Sequence, residues 1–203
     1  MNNREIVVAS ANQGKLREFS QLFSAWRIRV LPQSEFAVPA VAETGTSFEE
    51  NALLKARHGA AHARHPVIAD DSGIEVDVLN GEPGIYSARY AGAGASDADN
   101  LALLLRNIQA AGARHPSARF RCVIVYVRSP DDAEPLVAQG IWEGYIVDKP
   151  AGSNGFGYDP VFHVPSHGCT SAELPPLVKN AVSHRGQALR NLVELMKEAK
   201  AFE

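Results

Sequence analysis

The segment IADDSG, residues 68–73, sets Asp70 beside Asp71, behind an apolar lead-in and ahead of a Ser-Gly pair. Adjacent carboxylates repel, and carboxylates taken out of water lose hydration. The pair therefore calls for a positive partner, most simply a metal ion. Mg²⁺ takes one or two carboxylates together with phosphate oxygens and water. Glu43, in VAETG, offers a second carboxylate from a loop. The plainer alternative is a strand-ending turn, since Asp, Ser and Gly all favour turns.

Four further segments carry side chains suited to chemistry. SANQGK (Ser10, Ala11, Asn12, Gln13, Gly14, Lys15) stands between a β-branched run and a helical pattern. Backbone N–H groups and the dipole at a helix start favour phosphate, and Lys15 adds a charge. A polar turn with a solvated lysine fits the same letters, and the longer glycine-framed P-loop is absent. GEPGIYSARYAG, residues 81–92, combines rigid turns with Ser87, Arg89 and two tyrosines. It reads equally as one side of a pocket or as a surface loop over the core.

NGFGYDPVF, residues 154–162, holds Phe156 between two glycines. Glycine lets a ligand approach the backbone. Phe156 could then stack on a flat ring beside Gly157, Tyr158 and Asp159, or else pack in the core. KNAVSHRGQAL, residues 179–189, crowds Lys179, His184 and Arg185 into the first half of an expected helix. The macrodipole disfavours cations there, and arginine's planar fork suits a phosphate or a base edge. Taken together, these are phosphate grips, a metal site, an aromatic platform and an edge reader. That is the inventory of a nucleotide site, with the reaction left open.

The elements that must position these groups alternate along the chain. REIVVAS (4–10) and IRVLP (28–32) read as strands around a helix over about 15–26. TSFEENALLKARHGAAHARH reads as a long helix, with Ser47 and Glu50 in a capping-box pattern, and VIADD returns as a strand. A capped helix spans 96–112. Two long strands follow, ARFRCVIVYVRSP and PLVAQGIWEGYIV, and a short one lies in FGYDPVFHVP. A single helix is expected over PLVKNAVSHRGQALRNLVELMKEAK. The pattern is one α/β domain, residues 1–203, with a mixed sheet and two lobes around a cleft.

The chain has 203 residues, 45% of them hydrophobic, with 20 basic and 23 acidic side chains and a formal net charge of −3. No basic run marks a nucleic-acid polymer as partner, and no apolar run reaches membrane-span length. Cys122 and Cys169 form no CxxC. The N-terminal residues do not read as a secretory signal, so a cytoplasmic location is expected.

In this order, and along nearly the whole chain, stand VVASANQGKLREF, ETGTSFEENALLKA, IADDSGIEVDVLNGEPGIYSARYAG, NGFGYDPVF and SHRGQAL. With them the chain resembles the Ham1/RdgB-type family of inosine triphosphate pyrophosphatases, also called dITP/XTP pyrophosphatases. The resemblance implies a mixed α/β fold with an elongated central sheet flanked by helices, two lobes with a cleft between them, and a homodimer. It implies Mg²⁺-dependent hydrolysis of non-standard purine nucleoside triphosphates (ITP, dITP, XTP) to the monophosphate and pyrophosphate, which cleanses the nucleotide pool. Carried over by position, Ser10 to Lys15 hold the triphosphate. Asp71 is the catalytic acidic residue at the metal, with Ser72 touching substrate; Glu43 or Asp70 is the companion ligand expected from the residues themselves. Phe156, Gly157, Tyr158 and Asp159 bind the nucleoside, and Lys179, His184 and Arg185 complete the pocket. Related sequences often show two acidic residues where this chain has Ala42 and Glu43, and glutamates before the lysine where it has LPPLVKN. A metal-dependent phosphatase releasing orthophosphate and a non-catalytic nucleotide sensor are the rival readings.

Overall fold

The computed structural model describes residues 4–24 and 26–201. The apolar runs become seven strands: β1 (Arg4–Val8), β2 (Ile28–Pro32), β3 (Val67–Val76), β4 (Ser117–Val127), β5 (Leu136–Ile146), β6 (Phe162–Val164) and β7 (Cys169–Thr170). They form one sheet in the order β2-β1-β3-β4-β5-β6-β7. β1 pairs in parallel with β2 and β3, whereas β5–β6 and β6–β7 are antiparallel, so the sheet is mixed. Parallel strands covered on both faces read as continuous apolar runs, and Ile6, Val7 and Val8 are all buried.

Among the described residues, five α-helices accompany the sheet: α1 (Gln13–Ser24), α2 (Phe48–Ala63), α3 (Asp97–Ala110), α4 (Pro176–Val182) and α5 (His184–Glu198). The chain divides into two compact units. One gathers the residues up to Asp71, Cys122–Gly140 and those from Arg185 onward; the other gathers Ser72–Arg121 and Ile141–His184. The first has a core that includes Ile6, Phe19, Phe23, Ile68, Ile124 and Leu192. The second is built around Ile74, Leu104, Phe120, Trp142, Val161 and Phe162.

Two expectations need correction. The Ser-Gly pair does not end β3, which continues through Ser72 and Gly73 to Val76. β1 pairs with β3 only at Val67 and Ile68; beyond them β3 runs on beside its other neighbour in the sheet, β4, and strand pairing overrides the turn preference of Asp-Ser-Gly. The C-terminal helix is two helices. Ser183 is extended at φ −67°, ψ 158°, and its N–H still bonds the Lys179 carbonyl at 2.8 Å. Serine is among the residue types favoured just before a helix, and α5 starts at the next residue. Lys179 therefore stands in the last turn of α4, the end where a cation is favoured; only His184 and Arg185 open a helix. Among the described residues no helix is long and apolar enough to cross a membrane.

Candidate functional site

Because β3 passes through the Asp pair, successive side chains leave the strand on opposite faces. Asp70 and Asp71 accordingly meet different partners. Asp70 is buried and accepts Lys15 Nζ at 3.0 Å and the Arg185 guanidinium at 3.2 Å from Nη2 and 3.3 Å from Nε, all on Oδ2. Arg185 is itself buried, and its Nη1 binds Glu18. Burial alone would raise the pKa of Asp70, but Lys15, Arg185 and Lys55 hold it well below the usual carboxylate range. The Cys122 thiol, 3.9 Å from the same Oδ2, is pushed by burial and by Asp70 up to about 12. It packs as an inert apolar group.

Asp71 faces α2. The α2 start is set by Ser47, whose side chain accepts the Glu50 N–H at 3.1 Å. The expected reciprocal bond is displaced by one residue: Glu50 Oε2 accepts the Thr46 N–H at 2.7 Å. This fixes Asn51 and Lys55, one helical turn apart, toward β3. Lys55 Nζ bonds Asp71 Oδ1 at 2.7 Å and Glu43 Oε1 at 2.9 Å. Asn51 Nδ2 approaches Asp71 Oδ2 at 3.5 Å, while its Oδ1 accepts the Gly45 N–H at 2.8 Å. Asp71 is pushed above its ordinary value by burial, against the pull of Lys55.

Glu43 and Asp71 thus close on a single cation, here the Lys55 ammonium. Among the described residues no three carboxylate, imidazole or thiolate groups cluster as a metal cage. Two carboxylates are the protein share that Mg²⁺ takes when phosphate oxygens supply other ligands, so this donor set fits a metal that arrives with a triphosphate. The neighbouring SANQGK turn starts α1 two residues earlier than the pattern indicates. Asn12 Oδ1 accepts the Lys15 N–H at 3.0 Å, and Ser10 Oγ accepts the Asn12 N–H at 3.2 Å. Ala11, Asn12 and Gln13 are exposed at this helix start.

In the second unit, Asp159 organises the segment 154–159. Its Oδ2 accepts the Phe156 N–H at 2.9 Å and Lys179 Nζ at 2.7 Å; its Oδ1 accepts Ser171 Oγ at 2.8 Å. Gly155 has φ +78°, and a Cβ there would lie 2.0 Å from Asp159 Oδ2, so only glycine fits. Lys179 Nζ sits 5.2 Å from the Phe156 ring centroid, a cation–π contact. Tyr158 is anchored through its hydroxyl on the Ser87 carbonyl at 2.8 Å. The His184 ring stacks on Phe120 at 4.7 Å and 9°. Ser72 is half-buried in β3.

A family model described as the Ham1 family matches residues 6–195. The chain belongs to the Ham1 family. Over 197 residues it is 55% identical to a dITP/XTP pyrophosphatase of Vibrio cholerae, covering 97% of this chain and 98% of that one. Over 185 residues it is 55% identical to a dITP/XTP pyrophosphatase of Methylococcus capsulatus, covering 91% and 92%. Among solved structures, a HAM1 protein from Coxiella burnetii matches with a TM-score of 0.88 at 49% identity, covering 96% of this chain and 99% of that one.

Within this Ham1-family chain, Lys15, Glu43, Asp71 and Arg185 fall together in the first unit. Phe156, Gly157, Tyr158, Asp159 and Lys179 fall together in the second. Three partners escaped sequence reasoning: Glu18, Asn51 and Lys55. The signal for the last two was present, a polar pair at i, i+4 on a helix whose buried residues are otherwise Phe48, Gly59 and alanines. Arg185, expected at a base edge, has three of its nitrogens on Asp70 and Glu18.

Proposed function

We propose that this chain is a hydrolase that cleaves ITP, dITP and XTP to the nucleoside monophosphate and pyrophosphate, with Mg²⁺. The observation that carries the reading is the division of one carboxylate pair between two sets of partners. Asp70 is held as an anion by Lys15 and Arg185, while burial raises Asp71, which shares one cation with Glu43. Neighbouring titratable groups driven apart in this way mark acid–base assignments. Full-length relatives named dITP/XTP pyrophosphatases support the substrate class.

Asp71 accepts the proton of the water that attacks the α-phosphorus, a task for which a raised pKa is suited. Asp71 and Glu43 would hold the Mg²⁺, with Lys55 yielding its place between them. Bound there, the metal neutralises phosphate charge and polarises the reacting centre. Lys15, kept in place by Asp70, offers its ammonium to the triphosphate beside the turn of residues 10–14, of which 11–13 are exposed, and Ser72 adds a hydroxyl. Arg185 serves by holding Asp70. Phe156 stacks on the purine, while Gly157, Tyr158 and Asp159 frame it. His184, its plane fixed by Phe120, donates to the C6 oxygen of hypoxanthine or xanthine. We further propose a homodimer in the cytoplasm.

A substrate panel with Mg²⁺ tests this. ITP is expected to give IMP and pyrophosphate in equal amounts, and a chelator to abolish the reaction. Accumulation of IDP and orthophosphate would establish the phosphatase reading instead, and binding without turnover the sensor reading.

A further inference from the structure

Helix α3 opens with two aspartates that have different occupations. Asp99 completes the capping box: its Oδ2 accepts the Ser96 N–H at 3.0 Å and Ser96 Oγ at 2.6 Å, and its own N–H bonds Ser96 Oγ at 3.2 Å. The helix start is thereby satisfied without Asp97. Asp97 Oδ2 instead accepts the N–H of Gly157, at 2.8 Å and 60 residues away. Gly157 lies at φ +62°, directly after Phe156, whose own N–H is taken by Asp159. Two successive N–H groups of the turn are thus received by carboxylates from different parts of the chain.

The post on which Asp97 stands is firm. Asn100, three residues further along α3, is buried and clamps the preceding loop. Its Oδ1 accepts the Ala91 N–H at 2.8 Å, and its Nδ2 donates to the Ala88 carbonyl at 3.2 Å. Asp97, Phe156 and Gly157 also line a common pocket of about 350 Å³.

We propose that Asp97 is a positioning residue for the purine platform: through the Gly157 N–H it sets the plane in which Phe156 meets the base. The inference rests on the reading of Phe156 as that platform. A fixed ring presents its face without ordering on binding, so the pin acts on affinity more than on the chemical step. It acts alike on every purine, because the stacking face does not distinguish them.

Asp97→Ala is expected to raise KM for ITP about five-fold, the loss of one ordinary hydrogen bond, with kcat within two-fold by the same estimate. ATP should show the same rise. Asp97→Asn, which keeps an acceptor oxygen, should restore most of the affinity. Asp99→Ala, which breaks the helix cap but not the turn, should lower the melting temperature and leave KM unchanged. In the ligand-free protein, Asp97→Ala should speed amide hydrogen exchange in peptides covering residues 154–159, and Asp99→Ala should not. Phe156→Ala serves as the reference for the platform. If it raises KM while Asp97→Ala changes neither KM nor exchange, the positioning role is overturned and the platform stands. If Phe156→Ala leaves KM unchanged, the platform reading falls and the inference falls with it.

Discussion

Replacing each member of the Asp70–Asp71 pair by asparagine separates stability from turnover, in opposite directions at the two positions. Asp70 has its pKa depressed by Lys15, Arg185 and Lys55 against burial. Its contribution to stability is present above the ordinary carboxylate value, about 3.9, and is lost as pH falls through the depressed value. At neutral pH Asp70→Asn forfeits all of it and removes one of the two carboxylates bonded to the buried Arg185. Breaking a buried pair in this way costs about 3 kcal/mol. For a chain of this length that lowers the melting temperature by about 6–12 °C. Asp71 is the reverse case. Burial raises its pKa, so the fold prefers its protonated form. The stabilising contribution is present below the ordinary value and is lost as pH rises through the raised one, which makes the ionised carboxylate unfavourable to the fold at pH 7. Asp71→Asn should therefore be at least as stable as the wild type, since Lys55 retains Glu43, while kcat on ITP falls about 100-fold or more. Thermal or urea unfolding without metal, paired with ITP turnover at saturating Mg²⁺, reads both quantities. Near-normal turnover in Asp71→Asn, or a stability loss there matching that of Asp70→Asn, would refute the division of roles.

Lys55→Met removes the largest downward pull on Asp71. The acid limb of the kcat profile for ITP should move to higher pH, and an unmoved limb would exclude Asp71 as the titrating group. Gly155→Ala places a methyl against Asp159 Oδ2 in a left-handed backbone conformation; unfolding should show a loss of about 1–3 kcal/mol, and kinetics a raised KM for ITP.

Much of the fold was legible because strands and helices advertise themselves by period. IRVLP is a strand over the residues expected, Ile28–Pro32. Ser96 starts α3 with a full capping box. The misreadings share one cause, local preference overridden by the neighbours. Asp-Ser-Gly would turn in isolation but is carried on as strand in β3, which neighbours β4 in the sheet. The run from Pro176 to Lys200 has Gly186 as its strongest internal breaker, yet the helix divides at Ser183 and Gly186 stays inside α5, so the division had no sharp local mark. Within the site, the residue types were legible and their pairings were not. Nothing near Arg185 in the sequence announces Asp70, 115 residues away, and nothing near Asp71 names Lys55, which reaches it only because α2 lies against β3. Partners of this kind are set by tertiary packing, beyond the range of any local pattern.

The alternation along β3 makes the aspartate doublet a reading frame. The strand's backbone keeps the two carboxylates apart, one committed to Lys15 and Arg185, the other to Lys55 and Glu43. The letters D-D are identical, so only phase tells them apart. A residue gained or lost between Val67 and Ala69 would turn every later side chain of the strand to the other face and exchange the two assignments without altering the composition of the motif. Substitution can tune this pair one position at a time, whereas a shift in length ahead of it inverts the pair. The four letters preceding the doublet, PVIA, therefore act as a spacer as much as a buried core segment.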